Sequence, residues 1–116
     1  LAWCWATSIS YDTRLLLRGN RFFDLMDYDK AIATYNQALN EFPSNHEIRA
    51  ALALTYKQRG DYYRAVTEYK YLINSNPDNA ALHNNLGTVY YRNEQYETLK
   101  RQSIFSEKSF KMKKIC

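Results

Sequence analysis

The side chains from which chemistry could be built are few and poorly placed for it. His46 and His83 lie 37 residues apart. Neither stands at metal-ligand spacing from a Cys, Asp or second His, so surface or packing roles are expected of both. Glu94 and Glu97 are three apart, which puts them on one face of a helix. They lack an acidic partner in a pocket, and a solvated face is the better reading. Cys4 and Cys116 sit at opposite ends of the chain. They form no C-x-x-C pair and no disulfide framework, so reduced thiols are expected. No Ser–His–Asp order, Gly-rich phosphate loop or H-E-x-x-H is present. The chain therefore reads as a non-enzyme, with no cofactor and no metal.

The elements that would position any functional side chain follow from composition and spacing. A chain of 116 residues allows one domain. Gly 3 and Pro 2 leave few sharp turns, which favours long helices with brief connections over a many-stranded sheet. The formal net charge of +4 is unevenly placed. Lys100, Arg101, Lys108, Lys111, Lys113 and Lys114 stand against Glu107 in residues 100–116, and the remaining chain is near neutral. That weakens a nucleic-acid-binding reading of the body. No apolar run approaches the ~20 residues of a membrane helix.

A 34-residue interval organises the chain. Phe22, Tyr56 and Tyr90 keep it, as do Tyr28, Tyr62 and Tyr96, Gly19, Ala53 and Gly87, and Pro43 and Pro77. A period of this size is one supersecondary unit, repeated and stacked. Each unit reads as two amphipathic helices. In the middle unit, Leu52, Ala53 and Tyr56 make one apolar stripe over His46 to Arg59. Gly60 is available for a left-handed C-terminal conformation. Tyr62, Ala65, Tyr69 and Leu72 make the second stripe, closed by Asn76-Pro77-Asp78. Ser44 or Asn45, and later Asn79, are candidate N-caps. Small residues at Gly19, Ala53, Gly87, Ala31 and Ala65 are expected where paired helices approach most closely.

The motifs Leu15-x-x-x-Gly19-x-x-Phe22, Tyr28-Asp29-Lys30-Ala31, Tyr35, Ala38 and Pro43 resemble the tetratricopeptide repeat (TPR). So do Leu52-Ala53-x-x-Tyr56, Gly60-Asp61-Tyr62, Ala65, Tyr69 and Pro77, and then Leu86-Gly87-x-x-Tyr90 and Tyr96. The resemblance implies an all-α fold of tandem helix-turn-helix repeats stacked as a right-handed α-solenoid. The expected division is an N-terminal segment over 1–11, a remnant of a preceding helix; repeats over 12–45, 46–79 and 80–113; and a basic helix or tail over 100–116. The second helix of the third repeat is degenerate. Leu99, Ser103 and Lys111 stand in columns occupied by Ala31 and Ala65, Tyr35 and Tyr69, and Pro43 and Pro77. Arg18 takes a Leu column, and Arg49 and His83 sit where the family often has a large apolar residue.

The family's concave groove binds peptides or partner proteins, and the first helix of each unit lines it. The resemblance thus implies a protein–protein interaction scaffold whose groove candidates are Asn20, Phe23, Lys57, Asn84, Asn85, Thr88, Tyr91 and Arg92. Asn side chains pair with peptide backbone, and Lys57 and Arg92 suit a carboxylate. Gly19-Asn20 resembles part of the two-carboxylate clamp of some TPR co-chaperones. Leu16 and Ala51 replace its Lys and Asn, so that clamp is not expected. The expected partner is a protein or peptide rather than nucleic acid or membrane. The exposed last stripe of Tyr96, Leu99 and Phe105 opens a route to self-association. Two alternatives remain: a basic adaptor touching RNA or anionic membrane through the tail, and the regulatory repeat region of a longer enzyme. The cytoplasm is the expected compartment. An exported or lipoprotein form stays open, because the chain starts at Leu1 and its N-terminus reads as incomplete.

Overall fold

The computed structural model describes the backbone of residues 9–115 and the side-chain surroundings of residues 9–103. Most of the 1–11 segment, Cys4, Cys116 and the side chains of Phe105, Phe110 and the tail lysines from Lys108 to Lys114 lie outside that description. Five helices follow one another: α1 Tyr11–Asp24, α2 Tyr28–Glu41, α3 His46–Arg59, α4 Tyr62–Ser75 and α5 Ala80–Ile115. Each packs on its neighbour in sequence, and α1 also touches α3. The first helices of the first two units thus lie side by side.

Local chemistry sets the boundaries. Asp27, Asn45 and Asp61 accept from the backbone N–H three residues on, at 3.3, 3.1 and 3.4 Å. Asn79 accepts from Ala81 and Leu82. Each cap of this kind contributes about 1 kcal/mol. The turns between paired helices share one geometry. Asp27 N–H bonds Phe22 C=O at 2.9 Å, and Asp61 N–H bonds Tyr56 C=O at 2.9 Å. Each turn passes through one left-handed residue, Met26 at φ 61° or Gly60 at φ 91°. α2 and α4 end just before Pro43 and Pro77, where the next backbone cannot continue the helix.

The repeating columns become one continuous core. Ala31 and Ala65 are fully buried, and Tyr35 and Tyr69 are each 1% exposed. Leu52, Ile48 and Ala53 of α3, Leu72 of α4, and Leu82 and Val89 of α5 extend it. The small-residue column works as expected at Gly19, where an added Cβ would collide with the Tyr35 ring. At Gly87 an added Cβ would meet nothing within 4 Å.

That open space has a local cause. Where the first two units turn, the third stays helical, and α5 runs unbroken for 36 residues. Its counterparts of Met26–Asp27 and Gly60–Asp61 are Glu94–Gln95. Both are good helix formers, neither favours a left-handed backbone, and Gln95 replaces a capping Asp. The last helix therefore runs past Gly87 instead of folding back onto it. Tyr90, Tyr96 and Leu99 are left 46, 54 and 65% exposed.

The two polar residues in the large apolar column turn to hydrogen bonds with the preceding loop, although the buried Arg49 Nε has no partner among the described residues. Arg49 donates to Glu68 of α4 at 2.8 Å and to the Pro43 carbonyl at 3.2 Å. Its guanidinium plane lies 4.0 Å from the Tyr71 ring centroid. This gives the flat contact that an aromatic residue would otherwise provide. His83 reaches the Pro77 carbonyl at 2.7 Å, which requires a proton on Nε2. The same bond to the same turn is thus made one unit later.

Candidate functional site

The expected groove residues lie on α1, α3 and α5, and they divide by environment. Asn84 and Tyr91 are exposed, with Tyr91 at 63%. Asn20, Phe23, Asn85, Thr88 and Arg92 are half-buried. Lys57 is buried. Two of the eight, Lys57 and Asn85, are brought together across the α3–α5 seam. Lys57 Nζ lies 3.5 Å from Asn85 Oδ1. Burial lowers the Lys57 pKa below its usual value, and the nearby Arg92 charge lowers it further. Both causes act in the same sense, since each disfavours a second positive charge in a poorly solvated place.

The other members serve the fold as well as the surface. Asn20 Oδ1 accepts the Tyr35 hydroxyl at 2.5 Å. Asn20 therefore keeps its amide N–H group for an outside acceptor while its carbonyl is occupied. The Phe23 ring packs at 5.6 Å against Tyr28, part of the first turn rather than an open anchor. Thr88 turns back to the Asn84 carbonyl at 3.0 Å, an intrahelical bond. Tyr91 borders a concavity of about 580 Å³ along one face of α5, shared with Glu94, Gln95, Thr98, Leu99 and Gln102.

Sequence reasoning missed the polar seam below this surface. Tyr35 extends from α2 to the junction of α1 and α3, where Thr55 is also fully buried. Desolvation pushes the Tyr35 phenol up to about 12, with Asp24 adding repulsion and Thr55 opposing the rise. Tyr69 occupies the same column one unit on. Its hydroxyl is buried without a hydrogen-bond partner among the described residues. Desolvation raises its pKa to about 12 as well. The available signal was the register: the counterparts of Asn20 and Thr55 are Leu54 and Val89, which offer no polar atom.

Among the described residues no group of three His, Cys, Asp or Glu side chains could hold a metal ion. No described helix is long and apolar enough to cross a membrane. Paired helices in a 34-residue register, with capped turns and a shared core, define a helical repeat protein. The TPR repeat family model matches residues 19–58 and again 54–94. The chain belongs to the TPR repeat family, whose repeats are in general protein–protein interaction modules. No curated protein matches this chain.

Proposed function

We propose that the chain is a non-catalytic scaffold that binds an extended peptide or partner segment along the face of α1, α3 and α5. The supporting observation is the buried Lys57 paired with Asn85, with the Arg92 charge near enough to act on it. This pairing spends polar groups at a helix seam where the fold itself would prefer apolar packing. Half-buried amides at Asn20 and Asn85 provide backbone-pairing groups, and Tyr91 provides an exposed aromatic anchor. The test is a pull-down of cellular partners with the parent and with Asn84→Ala, Tyr91→Ala and Arg92→Ala combined. Loss of the captured partner from the triple variant supports the groove. An unchanged partner set overturns it.

A second reading is favoured by the open face of α5. Gly87 has no neighbour where Gly19 has the Tyr35 ring, Tyr90 one turn along is exposed, and Leu99 is exposed further along the same helix. Such a face supports association with a second copy of the chain. Sedimentation equilibrium decides: a monomer at high concentration removes this reading and leaves the groove untouched.

A further inference from the structure

Arg14, Leu17, Arg18 and Arg21 are all exposed on α1 and line a concavity of about 260 Å³. Steps of four and three residues place the three arginines on one face of the helix. Their 34-residue counterparts are Ile48, Leu52 and Thr55 on α3, and Leu82, Leu86 and Val89 on α5. Five of those six are buried, and Leu86 is half-buried against the same core. Among the described helices α4 is the one that packs extensively on α5. Leu82 and Val89 are therefore buried against the second helix of the preceding unit. The face of α1 that the register reserves for a packed helix is thus the face that carries three positive charges.

Those charges are unbalanced among the described residues. Lys30, Arg49, Arg59 and Arg64 form ion pairs there, and none of the three arginines does. Asp12, just before them in sequence, is bonded to the Thr13 N–H and the Asn45 amide. Like charges at these spacings destabilise a helix, and Leu17 stands 52% exposed among them. A partner on this face must bring the opposite charge rather than another apolar stripe. The far end of a second copy does not, since residues 100–116 carry six cations against one Glu.

We propose that this end face docks an acidic amphipathic helix of a partner protein. The partner's carboxylates, four and three residues apart, pair with Arg14, Arg18 and Arg21, and an apolar residue among them covers Leu17. The span from Arg14 to Arg21 is about 10 Å, two turns of the facing helix. Guanidinium groups suit carboxylates held in fixed geometry. Each exposed pair is weak, so the three act together with the apolar contact. A helix fits better than a nucleic-acid strand, because the register gives this face the shape of a helix-packing surface and its concavity has no aromatic ring for a base to stack on. The face is distinct from the groove, whose α1 members Asn20 and Phe23 do not line the concavity.

The experiment titrates the isotope-labelled full chain with two helix-forming peptides and reads amide chemical shifts. One peptide carries Glu at the four- and three-residue spacing around a Leu, and the other carries Gln in place of each Glu. The acidic peptide should shift the α1 amides from Arg14 to Arg21 and bind about tenfold more tightly than the neutral one, with the difference fading as salt rises. Arg14→Gln, Arg18→Gln and Arg21→Gln combined should remove the difference. Arg18→Leu, which restores the residue of the other two units, should reduce it without lowering the melting temperature. Equal affinity for the two peptides overturns the proposal, as do shifts centred on Asn84 and Tyr91. Tighter binding of a thymidine oligonucleotide at the same arginines overturns it in favour of a phosphate surface. Asn84→Ala, Tyr91→Ala and Arg92→Ala combined should leave the acidic peptide bound, so failure of the end face and failure of the groove are read separately.

Discussion

Tyr35→Phe and Tyr69→Phe should change stability in opposite directions, although the two tyrosines share a column and are each 1% exposed. Both substitutions delete one hydroxyl and leave the ring packing alone. At Tyr35 the hydroxyl donates to Asn20 Oδ1 at 2.5 Å. A net intramolecular hydrogen bond contributes about 1 kcal/mol, and half-buried Asn20 recovers part of the loss from solvent. The expected cost is therefore about 0.5–1 kcal/mol, a fall of about 3–6 °C in Tm for a domain of this size. At Tyr69 the hydroxyl is buried without a partner among the described residues. Its removal abolishes a desolvation penalty of about 1–3 kcal/mol, so Tyr69→Phe should raise stability by about 1 kcal/mol. Urea denaturation followed by circular dichroism gives both numbers against one parent curve. A loss of stability in Tyr69→Phe equal to that in Tyr35→Phe would refute the reasoning, since it would mean that both hydroxyls are equally satisfied. The two phenols also set an alkaline limit. Their folded pKa values are raised to about 12 from the ordinary 10. The protonated phenol is thus favoured by folding, and this contribution is complete below pH 10 and lost as pH rises from 10 to 12. Alkaline unfolding within that window should move to higher pH in Tyr69→Phe, which has one fewer buried phenol to ionise.

Three further outcomes follow from the comparison of units. Gly19→Ala should cost about 1–3 kcal/mol because its Cβ collides with Tyr35, while Gly87→Ala should stabilise α5 by up to about 1 kcal/mol; chemical denaturation reads both, and a costly Gly87→Ala would show that its face is covered. Met26 is 76% exposed at φ 61°, so Met26→Gly should stabilise by about 0.5–1 kcal/mol, and a lower Tm would show that the left-handed turn carries no strain there. Glu94→Gly with Gln95→Asp should break α5 at the position where the other units turn. Spin labels at His83 and Gln102 stand about 28 Å apart along a straight helix; a hairpin would bring them much closer, and an unchanged distance would contradict the capping explanation.

Much of the fold was legible because its signals are local. Asn45 and Asn79 cap as their residue types require, Gly60 takes the left-handed position, and Pro43 and Pro77 follow helix ends. The candidate site was legible only as a set of positions. Phe23, Thr88 and Asn20 sit in the expected columns, yet their side chains also serve neighbouring turns and rings. A column says which face a residue occupies, and the packing of the next helix decides what that residue touches.

By itself the sequence determined the first four helices, their pairing and the family, because a 34-residue period, caps and apolar stripes act over a few residues at a time. Three things show only when the columns are read across helices in the folded structure. It buried Lys57 beside Asn85, because two helices of different units meet there. It gave Tyr35 a partner and left Tyr69 without one, because Leu54 and Val89 replaced polar neighbours on other helices. It left Gly87 uncovered, because a helix continued through Glu94 and Gln95 cannot fold back onto its own first half.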